Sequence, residues 1–184
     1  MKVLIADLFS EDGIKELQAK GMEVHYDAGL NGDSLTKSLV EFQPSILVVR
    51  STKVTKENID ANAKLQMVVR AGAGYDTIDV AHCAKQGIYV TNCPGKNSHA
   101  VAELTMGLIL SIDRRIAEGV QLLKEGKWNK GLFSNSIGIK GRTIGIIGFG
   151  NIAHLVMERA KAFDMQVLVY SRTKKEDLEK KLGF

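Results

Sequence analysis

Two short stretches of this 184-residue chain hold residue types with specific chemistry. In TIGIIGFGNIA, Thr143–Ala153, an apolar run ends in Gly148 and Gly150 and passes into a helix-like segment. Gly148 permits a tight turn. Gly150 lets the backbone approach a pyrophosphate on the helix N-terminus, where free N–H groups and the helix dipole favour an anion. Ala153 is small enough for the helix to pack on its strand. About twenty residues further on, at the end of the next strand, an acid would hold the ribose diol of NAD. Here the sequence is Tyr170-Ser171-Arg172-Thr173, with no acid. The Ser171 hydroxyl can donate to a 2′-phosphate and the Arg172 fork can pair with it, which favours NADP over NAD. Read more plainly, Arg172 is a solvated loop residue and NAD binds with a weaker ribose contact. The second stretch is Ala71-Gly72-Ala73-Gly74, after another apolar run. Small residues there expose N–H groups that can bind an oxyanion; the alternative is a turn needed only for packing.

The remaining reactive side chains form no constellation. Cys83 and Cys93 are the only cysteines and make no CxxC pair, so neither a disulfide framework nor metal-ligand spacing is present, and no metal is expected. His154 reads as an ordinary helix residue and His99 as a first-turn helix residue. The net charge of +4 comes without an aromatic-interleaved basic stripe, which argues against nucleic acid and suits a small anion. MKVLIAD is too short in its apolar part for a signal peptide, and the apolar stretch around Leu104–Ile112 falls short of a membrane span. A reduced cytoplasmic compartment is the expectation.

The elements that must position these residues alternate. Val3–Ala6, Val24–Tyr26, Ile46–Val49, Leu65–Val69 and Ile88–Val90 read as short buried strands. Between them lie a helix capped by Ser10 and closed by Gly21, a helix over Asp33–Phe42, a short one capped by Thr55, and one over Thr77–Gln86. Such alternation predicts an α/β fold with a parallel sheet covered on both faces. TNCPGKNS, Thr91–Ser98, is the clearest boundary. Beyond it the pattern predicts one long helix over Ser98–Glu125, with Val101, Leu104, Leu108, Ile112, Ile116, Val120 and Leu123 on one stripe. Gly107 would allow close packing. An irregular stretch over 128–141 follows, then strand Thr143–Ile147, helix Asn151–Phe163, strand Gln166–Tyr170 and a last helix over Thr173–Leu182.

VVRSTKVT (Val48–Thr55), LQMVVRAGAGYDTIDV (Leu65–Val80), GIYVTNCPGKNSHAVAELTMGLIL (Gly87–Leu110) and GRTIGIIGFGNIA (Gly141–Ala153) together resemble the D-isomer-specific 2-hydroxyacid dehydrogenases. The resemblance runs in order along nearly the whole chain. It implies a flavodoxin-like substrate domain over 1–97, a hinge near Asn97, and the first part of a Rossmann NAD(P)-binding domain over 98–184. It implies that Ala71, Gly72, Ala73 and Gly74 grip the substrate carboxylate near the nicotinamide. Arg50, Ser51 and Lys53 match positions that hold the substrate phosphate in phosphoglycerate-type members. A planar fork, a hydroxyl and a point charge at a strand end suit that role, although Arg50 by itself reads equally well as a solvated strand end. Asn151 and Ile152 match positions whose backbone contacts the cofactor pyrophosphate. The family carries an Asp where this chain has Ser171, which bears on the choice of NAD or NADP and of substrate, since NADP-using relatives often reduce glyoxylate or hydroxypyruvate.

In this family a His held by a Glu, together with an Arg, carries the hydride step, and the resemblance puts all three at positions beyond Phe184. His25, His82, His99 and His154 match none of those positions, and no catalytic residue is assigned. The expectation is an N-terminal portion of a longer enzyme, without turnover by itself; a non-catalytic binding module on the same fold is the alternative. The first domain would lack the C-terminal helix that returns to cover it. Family members pair through the region of Ser98–Glu125, so a homodimer is expected, with Lys130 able to reach a neighbouring subunit.

Overall fold

Runs of Val, Ile and Leu too short for helices form the strands of the first part of the chain. They are β1 (Lys2–Ile5), β2 (Glu23–Tyr26), β3 (Ile46–Val49), β4 (Met67–Arg70) and β5 (Tyr89–Thr91), all parallel, in the order β2-β1-β3-β4-β5. The computed structural model describes residues 1–173, in two units, Met1–Lys96 and a second beginning at Asn97.

In the first unit, α1 (Glu11–Ala19) packs Ile14 and Leu17 on one sheet face, against Val3, Ile5 and Val48. The other face carries α2 (Gly32–Phe42), α3 (Lys56–Asp60) and α4 (Val80–Lys85), whose Leu35, Leu39, Ile59 and Cys83 meet Leu4, Leu47, Val49 and Val68. Leu4, Leu35, Leu39 and Leu47 are fully buried, each worth about 1.5–3 kcal/mol of apolar transfer. Ser10 caps α1 through the Gly13 amide, and Gly21 closes it at φ 79. Helix α4 starts three residues later than the pattern predicts. Thr77 and Ile78 are drawn into a bridge with Val54, and the Asp79 carboxylate then caps the His82 amide. Because α1 leaves β1 on one face and α3 leaves β3 on the other, the carboxyl ends of these neighbouring strands flank a topological switch point.

In the second unit the predicted long helix is two helices, α5 (Ser98–Asp113) and α6 (Ile116–Lys124). Arg115, at φ 52, breaks them. Its guanidinium grips both Glu118 carboxylate oxygens and the Leu132 carbonyl, and lies over the Phe133 ring. These contacts hold a left-handed residue that helix periodicity does not reveal. The stretch after Trp128 is not wholly irregular, because α7 (Lys130–Phe133) forms where Asn129 caps the Leu132 amide. Strands β6 (Thr143–Ile147) and β7 (Gln166–Tyr170) pair in parallel, joined by α8 (Asn151–Ala162). Ala102 and Met106 of α5 pack on Val156 of α8, together with Ile144 and Ile146. Gly107 is exposed with open space around its Cα, so it serves no close packing. Among the described residues no helix is long and apolar enough to cross a membrane. The helix expected over Thr173–Leu182 lies almost wholly outside the described residues. Phe184, beyond which the resemblance puts the family's Arg, Glu and His, lies outside them too.

Candidate functional site

The carboxyl ends of β1, β3 and β4 bring the first group of residues together. Val49 and Arg70 are register partners, so the turn after β3 and the turn after β4 lie side by side. Arg50, Ser51 and Lys53 are all exposed. The three consecutive amides of Arg50, Ser51 and Thr52 converge on one carboxylate oxygen of Asp7, at 2.6, 3.0 and 2.9 Å, and the Ser51 hydroxyl donates to the other at 3.0 Å. Burial alone would raise the Asp7 pKa, but the amides of Arg50, Thr52 and Ser51 and the Ser51 hydroxyl outweigh it and hold the carboxyl below its ordinary value. The Ser51 hydroxyl expected to face a phosphate is thus turned to Asp7. Arg50 and Lys53 form no ion pair among the described residues.

The loop after β4 also differs from expectation. Of the four residues expected to offer amides, Ala71 donates to the Val49 carbonyl at 2.7 Å and Gly72 to the Arg70 carbonyl at 2.8 Å. Their amides are spent on holding the turn. The amides of Ala73 and Gly74 have no acceptor among the described residues. The loop is tied from behind, with the Cys93 amide on the Gly72 carbonyl at 2.9 Å and the Asn92 side-chain amide on the Ala73 carbonyl at 2.7 Å. A Cβ at Gly72 would meet the Arg70 guanidinium, the far end of a flexible side chain that lies across it. The Arg70 Nε is buried with no hydrogen-bond partner.

Asp7, Arg70 and Asn92 were not singled out by the sequence patterns. An acid directly after the first apolar strand is a weak signal. It gains meaning only with the strand order, which puts it beside β3.

The second group stands at the carboxyl ends of β6 and β7. Gly148 has φ 91, which a side chain rarely adopts, and its amide donates to the Tyr170 carbonyl at 2.8 Å. Gly150 is the N-cap of α8 with no side-chain cap. Open space surrounds both glycines, so nothing on the protein side fills the approach. The first amide of α8 to find a carbonyl is that of His154, on Gly150. Those of Asn151, Ile152 and Ala153 have no acceptor among the described residues. Asn151 and Ile152 are exposed, and Ala153 packs against the Phe149, Met157 and Ala160 cluster. His154 stacks on Phe149 at 4.1 Å between ring centroids. These features fit a diphosphate, whose oxygens would complete the orphan amides. At the end of β7, Arg172 is exposed, while the Ser171 hydroxyl donates to the Thr173 carbonyl rather than standing open for a 2′-phosphate.

The four histidines play no shared part. His25 stacks on Phe42, His82 pairs with Asp60 at 2.6 Å, and His99 is exposed in the first turn of α5.

Comparison with known proteins gives a consistent picture. The family model for the D-isomer specific 2-hydroxyacid dehydrogenase catalytic domain matches residues 3–181. The chain is 40% identical over 184 residues to D-3-phosphoglycerate dehydrogenase of Methanocaldococcus jannaschii, covering 100% of this chain and 34% of the relative. It is 34% identical over 189 residues to glyoxylate reductase of Thermococcus litoralis, covering 99% of this chain and 57% of that one. Among solved structures, NAD+-bound 3-phosphoglycerate dehydrogenase of Entamoeba histolytica superposes with a TM-score of 0.75 at 30% identity, over 96% of this chain and 56% of that one. The chain thus spans from about a third to little more than half the length of these relatives.

Proposed function

The chain belongs to the D-isomer specific 2-hydroxyacid dehydrogenase family, and from that premise we propose that the protein transfers a hydride between a nicotinamide cofactor and a D-2-hydroxy acid or its 2-keto acid. Residues 1–97 serve the substrate and residues from 98 onward serve the cofactor. The observation that carries the reading is the row of unpartnered amides at Asn151, Ile152 and Ala153, behind Gly148 and Gly150. The nicotinamide ring supplies or accepts the hydride when bound; these residues hold its diphosphate. Ala73 and Gly74 offer free amides to the substrate carboxylate, in a turn shaped by Ala71 and Gly72. Arg50 and Lys53 supply cations for a second anionic group, which makes the substrate 3-phosphoglycerate-like.

A glyoxylate or hydroxypyruvate reductase using NADPH is the second reading. It is favoured by Ser171-Arg172 where an acid would hold the ribose of NAD. No residue here matches the family's His, Glu and Arg, so the 184-residue chain by itself binds without turnover. A binding module without chemistry would bind in the same way. The two free cysteines accord with a reduced, cytoplasmic setting.

Fluorescence titration of NADH and NADPH tests the cofactor assignment. NADPH is expected to bind more tightly, and Arg172→Ala to weaken NADPH about tenfold while leaving NADH unchanged. Failure of either nucleotide to saturate, or binding that survives Gly150→Val unaltered, refutes the cradle. Oxidation of either nucleotide by this chain with hydroxypyruvate or phosphohydroxypyruvate would refute the absence of turnover.

We also assign self-association to the outer face of α5 and α6. Leu104, Leu108, Ile112, Ile116, Val120 and Leu123 are all exposed there, a larger apolar run than a monomer ordinarily leaves in water. A clean monomer at high concentration in sedimentation velocity refutes it.

A further inference from the structure

We propose that Asp7 is the positioning residue of the substrate subsite, an internal anion that clamps the Arg50–Thr52 turn and thereby sets where the Arg50 side chain starts, beside Lys53. Three successive amides converging within 3.0 Å of one oxygen form a nest of the kind that ordinarily takes a ligand's oxyanion. In this chain the anion comes from the protein. It lies beside the β1–β3 switch point, where ligands of parallel α/β sheets enter. The consequence is that the substrate's second anionic group cannot use these amides or the Ser51 hydroxyl, and is met there by side chains.

The rest of the turn is held by independent ties, so Asp7 controls one end of it. Thr52 Oγ1 donates to the Leu30 carbonyl at 3.3 Å. The Val54 amide donates to the Thr77 carbonyl at 2.9 Å, and the Asp79 amide returns to the Val54 carbonyl at 3.0 Å. Thr55 and Asn58 form a reciprocal cap on α3, and Asn58 is anchored on Thr36 at 2.9 Å. Removing the carboxylate therefore loosens only residues 50–52, between Val49 in the sheet and these ties. Arg50 sits on that segment, so the point from which its cation extends is less firmly placed. The Asp7 charge also partly cancels the cations beside it, so the subsite accepts an anion only where Arg50 and Lys53 are both well placed.

This inference rests on the assignment of Arg50 and Lys53 to the substrate's second anionic group. The test is titration of the 184-residue chain, followed by amide NMR, with two probes: 3-phosphoglycerate and D-glycerate, which lacks the phosphate. Asp7→Ala is expected to lower the affinity for 3-phosphoglycerate about tenfold and to leave D-glycerate unchanged, a split that general loosening does not produce. Asp7→Asn, which keeps an acceptor oxygen without the charge, is expected to fall between, at about threefold. A ratio of the two affinities at or above the wild-type value in either variant overturns the proposal, since the amides would then be the anion site and Asp7 its competitor. The Asn variant decides the matter if the Ala variant does not fold. Arg50→Gln separates the two levels. If it too leaves 3-phosphoglycerate binding intact, the assignment of Arg50 falls; if it alone weakens binding, only the role of Asp7 falls.

Discussion

At the end of β3 three consecutive amides meet a carboxylate that the chain itself supplies, whereas at the head of α8 three consecutive amides have no acceptor among the described residues. The two cradles use the same backbone chemistry with opposite filling. In the first, side chains such as Asp7, Thr52 and Asn92 complete the turns, and the cations stand free around a finished frame. In the second, Gly148 shapes the turn, and the amides are left without an acceptor among the described residues. The contrast extends to the sheets. Five strands in the first unit are covered on both faces, while β6 and β7 bury one face under α5 and α8 and leave Ile147, Leu168 and Tyr170 exposed. A cradle filled from within belongs to a unit with its own core. A cradle left open belongs to a unit with little core of its own.

The largest effect that would break this comparison comes from the core. Leu47 is fully buried at the centre of the five-stranded sheet, and Leu47→Ala is expected to cost about 2–5 kcal/mol. Val167 is the counterpart in the second unit, at 7% exposure in a smaller cluster, and Val167→Ala is expected to cost less. Urea unfolding followed by circular dichroism ranks them. A larger loss from Val167→Ala would mean that the second unit is the better packed of the two.

Much of this arrangement was legible in the sequence, and its limits follow from physics. Periodicity located β3, β6 and β7 to the residue, because β-branched runs of that length bounded by turn residues admit few other conformations. The glycine turn was legible because Gly148, at φ 91, needs its backbone geometry whatever surrounds it. The break at Arg115 was not, since a left-handed arginine is held by Glu118, Leu132 and Phe133, contacts invisible in a helical repeat. The availability of individual groups was not legible either. Arg50, Ser51 and Lys53 look alike as a short polar run, and only the pairing of β1 with β3 brings Asp7 to the Ser51 hydroxyl. Likewise the spacing of Ala71–Gly74 promises four amides, and the strand register consumes the first on Val49.

Gly148→Ala sharpens the contrast from the side of the open cradle. At φ 91 an alanine adds strain of about 1–2 kcal/mol. The variant is expected to lose stability by that amount and dinucleotide affinity with it, while 3-phosphoglycerate binding by the first unit is unchanged. Calorimetric titration with each ligand checks both halves.

The closed cradle answers to acid. Because the folded Asp7 carboxyl titrates below its ordinary value of 3.8, its contribution is complete above that pH and is lost as pH falls through the lower, folded value. The stability gap between the wild-type chain and Asp7→Asn is therefore expected to be constant near neutrality and to narrow below about pH 4. Urea midpoints across that range measure it, and a gap that widened in acid would mean the carboxyl is not held as its four hydrogen bonds imply.

The smallest perturbation uses the two thiols to ask whether the first unit opens as a whole. Cys83 is fully buried against the helix-covered face of the sheet; burial first, and the Asp79 carboxylate second, push its pKa up, so it is shielded and poorly ionised. Cys93 is exposed, two residues beyond β5, with its amide tied to the Gly72 carbonyl. Ellman's reagent is expected to modify Cys93 alone in the native chain, and Cys83 only across the urea transition of the first unit. Early reaction of Cys83, before the sheet melts, would show α4 leaving on its own. The turns after β3 and β4 would then be held by a scaffold looser than the Asp7 clamp requires, because Val54 and Asp79 join the Arg50 segment to the start of that same helix.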